Sequence, residues 1–281
     1  MYRQYLAKYR FLSPRVLAEI HSDFLLNFLN LRDNLHQKID PLKDNFALYF
    51  EYLPSGTSIG INSGNEFFAA SLFKLPVVMA YLRHKENINS KNDIKVRLTS
   101  DMLDNRFGDL WKKGEGYEIG LDEAARLSLE KSDNTAAKAL GAAITQKDFD
   151  DVYRGIDINL QMNDKGTVMT AKNYSSILKA LYFSAVLTRD DSETILSYLT
   201  KSDFNDKLTA GVPSDITVAH KIGVIDNESY MDCGIIYIPK RPYILCMVSK
   251  GTEDEARNRM SSVSKAIYDY VKNTKSEDVD D

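Results

Sequence analysis

The stretch Phe67-Phe68-Ala69-Ala70-Ser71-Leu72-Phe73-Lys74-Leu75-Pro76-Val77-Val78-Met79-Ala80-Tyr81-Leu82 is an apolar run interrupted by one hydroxyl and one cation. Such a run predicts a helix buried at the centre of the molecule and opened by Ser71, with Pro76 accommodated near its start, where a missing N–H costs nothing. Lys74 then lies three residues on and shares the face of Ser71, so its ammonium nitrogen reaches the serine oxygen. Partial burial and a second cation push such a lysine toward neutrality, which makes it a base and Ser71 a nucleophile. The N–H of Ser71, at the positive end of the helix, supplies one donor to an oxyanion site, and Val224 is expected to supply the other.

Two further strings follow in order, Ser132-Asp133-Asn134 and Lys221-Ile222-Gly223. They add a second hydroxyl with an amide and a second lysine before a glycine, which completes the set an acyl-transferring serine enzyme needs. Ser-x-x-Lys alone says little, because the chain repeats it at Ser128/Lys131, Ser176/Lys179 and Ser262/Lys265, all read as amphipathic helix surface. The order and separation of its companions set Ser71 apart. Ser-Asp-Asn is also a common helix cap, and the helical run 135–140 follows it; cap and catalytic group can coexist.

On these residues the chain resembles the penicillin-recognising serine enzymes, and among them the class A β-lactamases, over about residues 45–270. The resemblance implies acylation of Ser71 with Lys74 as base, proton relay through Ser132, an amide contact from Asn134 and a substrate carboxylate oriented by Lys221, with Gly223, Val224 and Ile222 beside the substrate. It also implies a fold of α/β class, an α/β/α sandwich around an antiparallel five-stranded sheet built from both chain ends, with an inserted all-helical lobe. Residues 251–259 resemble the start of the family's last helix.

Three departures from the family pattern stand out. The stretch 156–166, where class A enzymes carry an omega loop with a water-activating glutamate, is short and holds no glutamate. Asp157 and Asp164 are the available substitutes, although both read as turn residues of a solvated loop. Ile222 stands where a hydroxyl normally meets the substrate carboxylate, and Cys233 stands near the usual place of an arginine. Acylation with slow deacylation is therefore the expected behaviour. A D-alanyl-D-alanine peptidase and a non-catalytic cell-wall or β-lactam sensor are the alternatives.

The 281 residues, 43% of them hydrophobic, suffice for one full core. We expect a single catalytic domain, with an α/β lobe at about 1–64 and 215–272, a helical lobe at about 65–214 and a disordered acidic tail at 273–281. Residues 46–53 and 58–62 read as a hairpin around Pro54-Ser55-Gly56-Thr57; 217–225, 230–238 and 243–248 read as strands, and 253–272 as a closing helix. A helix is expected over 14–31, and helices dominate 71–199. A net charge of −4 gives no basic footprint for nucleic acid. No cofactor or metal is called for, since His21, His36, His84 and His220 are scattered without ligand partners. His220 should face away from Lys221 by strand alternation. Phe107 and Trp111 read equally well as a substrate wall or as core. Cys233 and Cys246, on neighbouring strands, read as buried free thiols ahead of a disulfide. The expected partner is a small-molecule β-lactam or a peptidoglycan stem peptide met by a monomer. Residues 1–10 lack an apolar signal core, yet the resemblance implies substrates outside the cytoplasmic membrane, so an extracytoplasmic protein whose targeting or anchoring segment is gone is expected, with a cytoplasmic one as the alternative.

Overall fold

The structure, a computed structural model, describes residues 8–13, 26–90, 92–156, 158, 161–163 and 166–274. Most of the helix expected over 14–31 lies outside them. Helix α1 (Leu29–Ile39) begins near its expected end and buries Leu31, Leu35 and Ile39 at four-residue spacing. Strands β1 (Phe46–Tyr52) and β2 (Thr57–Ile61) form the expected hairpin. After β3 (Glu66–Phe68), a 3-10 turn over Ala70–Phe73 leads into α2 (Lys74–Asn87), where every residue from Lys74 to Leu82 is buried. Ser71 thus sits in the 3-10 turn, and the α-helix proper opens at Lys74.

The middle of the chain holds β4 (Lys95–Arg97), β5 (Glu118–Gly120), α3 (Leu121–Glu130), α4 (Asn134–Gly141), α5 (Gln146–Arg154), β6 (Gln161–Asn163), β7 (Gly166–Thr170), α6 (Ala171–Tyr182) and α7 (Arg189–Leu199). Its short strands were not legible: β4 pairs only with β5, and β7 joins β6 to β3. The segment read as a shortened loop is therefore partly a hairpin, with Gln161 opposite Val168 and Asn163 opposite Gly166, whose φ of 130° suits glycine. Asp157 and Asp164 lie outside the described residues. Ser128, read as helix surface, is instead fully buried on α3.

Strands β8 (Val218–Ile225), β9 (Ser229–Ile236) and β10 (Tyr243–Lys250) complete an antiparallel five-stranded sheet in the order β2-β1-β10-β9-β8, so both chain ends build it as expected. Helix α8 (Glu253–Asn273) opens with a reciprocal Thr252–Glu255 capping box, which satisfies two otherwise orphaned donors. The tail beyond Thr274 lies outside the described residues. On one sheet face Leu48, Phe50, Leu245 and Met247 cluster with Leu31 and Leu35 of α1 and with Met260, Ile267 and Val271 of α8. On the other, Ala47, Ile244, Val248, Met231 and Ala219 meet Tyr174, Ile177, Leu178 and Leu181 of α6. Each fully buried large aliphatic contributes about 1.5–3 kcal/mol, so packing rather than helix propensity holds these layers together.

The expectation of free thiols fails. Cys233 and Cys246 are directly opposite in the β9–β10 register, with Cα atoms 4.0 Å apart, and they form a disulfide. The hairpin register places both sulfurs on one face, a coincidence that strand spacing alone did not reveal.

Candidate active site

The edge strand β8 lies against the turn that carries Ser71. Gly223 makes this approach possible: a Cβ there would stand 3.0 Å from the Ala69 carbonyl oxygen and 3.1 Å from Leu72 Cγ. Two non-glycine residues of the site take left-handed backbone, Ala70 (φ 44°) directly before the nucleophile candidate and Ser132 (φ 53°). Each such conformation costs about 1–3 kcal/mol and persists only where surrounding structure enforces it.

Lys74, 7% exposed, donates from Nζ to the Ser132 carbonyl, to Ser132 Oγ at 3.1 Å and to Asn134 Oδ1 at 2.6 Å. From the opposite side Lys221, 1% exposed, donates to Ser132 Oγ at 2.9 Å and to its neighbour's carbonyl, Ile222 O, at 3.1 Å. One buried hydroxyl thus joins two lysines that are 147 positions apart in sequence. Burial pushes Lys74 down to about 7, against the pull of the Asp133 and Asp104 carboxylates and with help from Arg106. Burial, and then the Lys74 charge, hold Lys221 well below the usual lysine range, with Asp232 pulling the other way. Ser71 is half-buried, and its hydroxyl has no hydrogen-bond partner among the described residues.

The second motif is held by its own cap. Asp133 accepts from Ala136 N at 2.8 Å, capping α4, and from Leu110 N at 2.9 Å, which ties the 107–113 segment to the site. Asn134 donates through Nδ2 to Asp104 Oδ1 at 3.0 Å, and Asp104 is clamped by Arg106, with Nε–Oδ1 at 3.0 Å and Nη2–Oδ2 at 2.5 Å. The Arg106 hydrogen bonds, partly offset by desolvation, hold the Asp104 carboxyl well below the usual carboxylate range. Asp104 escaped the sequence reading: it precedes Asn134 by 30 positions in a turn-like string, and nothing in spacing links the two.

The Phe107 ring lies 6.0 Å from Lys74 Nζ and 6.2 Å from the Phe204 ring, so it faces the cluster. Trp111 lines a recess with Leu103, Asp104, Asn105 and Arg106. Ile222 is not brought into the cluster by its side chain. Odd-numbered β8 residues such as Ala219 and Ile225 pack with α6 and its neighbours, while Val218 and Val224 pack toward α8. Ile222, 2% exposed, and Val224 therefore point away from Lys221, and His220 does so too, with its Nδ1 2.8 Å from Asp232 Oδ1. Among the described residues no group of three or more His, Cys, Asp or Glu is arranged to hold a metal, and no helix is long and apolar enough to cross a membrane.

A sequence profile described as the Beta-lactamase enzyme family matches residues 30–271. The chain belongs to that family, and with it to the penicillin-recognising serine enzymes, whose members are serine hydrolases of the β-lactamase and penicillin-binding type. It is 25% identical to Beta-lactamase 1 of Bacillus cereus over 224 residues, 74% of this chain and 72% of that one. Among solved structures, a mutant of PBP-A captured as an acyl-enzyme with penicillin G superposes with a TM-score of 0.79 at 21% identity, covering 86% of this chain and 96% of its own. A class A β-lactamase from Mycobacterium abscessus gives 0.75 at 18% identity, covering 84% and 97%.

Proposed function

We propose that this protein forms a covalent acyl-enzyme on Ser71 with β-lactams and clears it slowly. The observation that carries the reading is the buried chain of contacts from Lys74 through Ser132 to Lys221, one helical turn from a half-buried serine. Near pH 7 a lysine pushed down to about 7 is half neutral, so it can take the Ser71 proton as the hydroxyl attacks the lactam carbonyl. Its proton has a route through Ser132 Oγ to the departing lactam nitrogen. The N–H groups of Ser71 and Val224 receive the developing oxyanion, Asn134 the acyl-side amide, and Lys221 the substrate carboxylate. Attack forms the ester bond and breaks the lactam C–N bond.

Deacylation needs a positioned base for water, help typically worth 10²–10⁴-fold. The stretch 156–166 offers no glutamate for it. That absence favours a second reading, a penicillin-binding D-alanyl-D-alanine peptidase, in which the β-lactam is a long-lived inhibitor. An extracytoplasmic location accords with the Cys233–Cys246 disulfide, since such bonds persist in oxidising compartments. Pre-steady-state labelling by a fluorescent penicillin, followed by chase, tests the proposal: fast labelling and slow loss of signal are expected, and both should vanish in Ser71→Ala. Rapid turnover without accumulated adduct would show that another base, Asp157 or Asp164 first, serves in deacylation.

A further inference from the structure

Directly behind Lys221, on the opposite face of the sheet, lies a second pair of ionisable groups that the chemistry above does not use. His220 and Asp232 are 1% and 0% exposed, with Nδ1 and Oδ1 2.8 Å apart. The other carboxylate oxygen, Oδ2, accepts from Leu208 N at 3.0 Å, and the Leu208 carbonyl is fixed in turn by Ser264 Oγ of α8 at 2.7 Å. A carboxylate only accepts, so His220 carries its proton on Nδ1. His220 Nε2 is buried without a hydrogen-bond partner. A proton there would be an unpaired donor on a buried cation, so the neutral ring is the state this site accommodates. The pair therefore keeps the full negative charge of Asp232.

The remaining charged and titratable groups around it are accounted for. Lys207, in the segment before Leu208, is spent on Asp206 at 2.9 Å and Glu253 at 3.7 Å, and Tyr174 of α6 is neutral, its phenol raised by burial and then by Asp232. Lys221 itself touches only neutral acceptors, Ser132 Oγ and Ile222 O, and faces a second lysine, Lys74.

We propose that Asp232, held by neutral His220, is a positioning residue that acts through the sheet to keep buried Lys221 protonated and able to bind a substrate carboxylate. The role of Lys221 rests on the acylation reading, but its ionisation can be read without it. In lysine 13Cε-labelled protein, with the Lys221 signal assigned by its loss in Lys221→Met, Asp232→Asn should lower the Lys221 titration midpoint by about one pH unit, a tenfold change in its protonated fraction above that midpoint. His220→Asn, which retains a donor at the Nδ1 position, should leave it in place, and His220→Leu should lower it. The alkaline limb of the acylation rate should follow the same order while the acid limb stays. An Asp232→Asn protein in which Lys221 titrates as in wild type overturns the proposal. Should that variant not fold, equal Lys221 midpoints in His220→Asn and His220→Leu overturn it equally. Absence of any adduct in wild type would instead refute acylation and leave the titration result to decide this point.

Discussion

Asp104→Asn probes how the loop before the second motif tunes the base. The substitution keeps the shape of the side chain but removes the charge that links Arg106 to Asn134 and pulls Lys74 upward. The path from Lys74 Nζ to Asp104 runs through one amide, by contacts of 2.6 and 3.0 Å, which places the charges roughly 7–8 Å apart. At an effective dielectric near 20 this is about 2 kcal/mol, and exposure of the neighbouring Arg106 screens part of it, leaving a shift on the order of one pH unit. The sign is fixed. Acylation requires neutral Lys74, so the wild-type rate should rise with pH and reach half its plateau near 7. Losing a negative charge lowers the lysine further, so the variant should reach half-plateau near pH 6. At that pH it should run at about half its own plateau against about a tenth for wild type, a relative gain of roughly fivefold. The plateau itself should fall by up to about tenfold, because the charge-assisted bond from Asn134 becomes a neutral one, a difference of about 1 kcal/mol. Second-order labelling rates with a fluorescent penicillin from pH 5 to 9 supply the measurement. A midpoint that stays at 7 or moves upward would refute the electrostatic reasoning.

Lys74→Met should abolish acylation yet stabilise the fold at low pH. Lowering the lysine from 10.5 to about 7 means the unfolded chain binds more protons between those values, so wild-type stability rises with pH across that window. Below it the full penalty, about 5 kcal/mol, is offset in the variant by the orphaned Asn134 and Ser132 acceptors at about 1–3 kcal/mol each. A net gain on the order of 1–2 kcal/mol at pH 6, gone by pH 10, is expected in urea titrations. Reducing the Cys233–Cys246 bond, whose cysteines are 13 positions apart, should cost about 3 kcal/mol and lower the melting temperature with reductant. Gly223→Ala should crowd β8 against the Ser71 turn, slow acylation more than tenfold and cost about 1–3 kcal/mol of stability; unchanged acylation would mean the Ala69 carbonyl yields freely.

Local pattern carried most of the fold. The near-continuous apolar runs 46–50 and 243–248 and the apolar stripe of 253–271 report burial directly, and the sheet and α8 follow from them. Residues 95–97 and 118–120 form strands because each presents an edge to a partner distant in sequence, which no local pattern encodes, and 161–163 pairs with the adjacent 166–168 in a run too short and polar to read as a hairpin. Ser71, Lys74, Ser132, Asn134 and Lys221 were legible because each belongs to a short string whose residue types are chemically demanding. Asp104 and Asp232 were not, since a carboxylate that acts through an asparagine or through a sheet leaves no spacing signature. The disulfide was missed for the same reason: register, not sequence separation, decides whether two strand cysteines meet. Ile222, read from its motif, turned inward because alternation along β8 overrides motif membership.

Whether Ser71 carries a lasting acyl group is read by intact-mass spectrometry over time after mixing with excess penicillin. One adduct per chain is expected, mapped to Ser71 by peptide analysis, absent in Ser71→Ala and persisting after free penicillin is removed. Wild-type protein that neither gains mass nor consumes any of a broad β-lactam panel at high concentration would contradict acylation at Ser71.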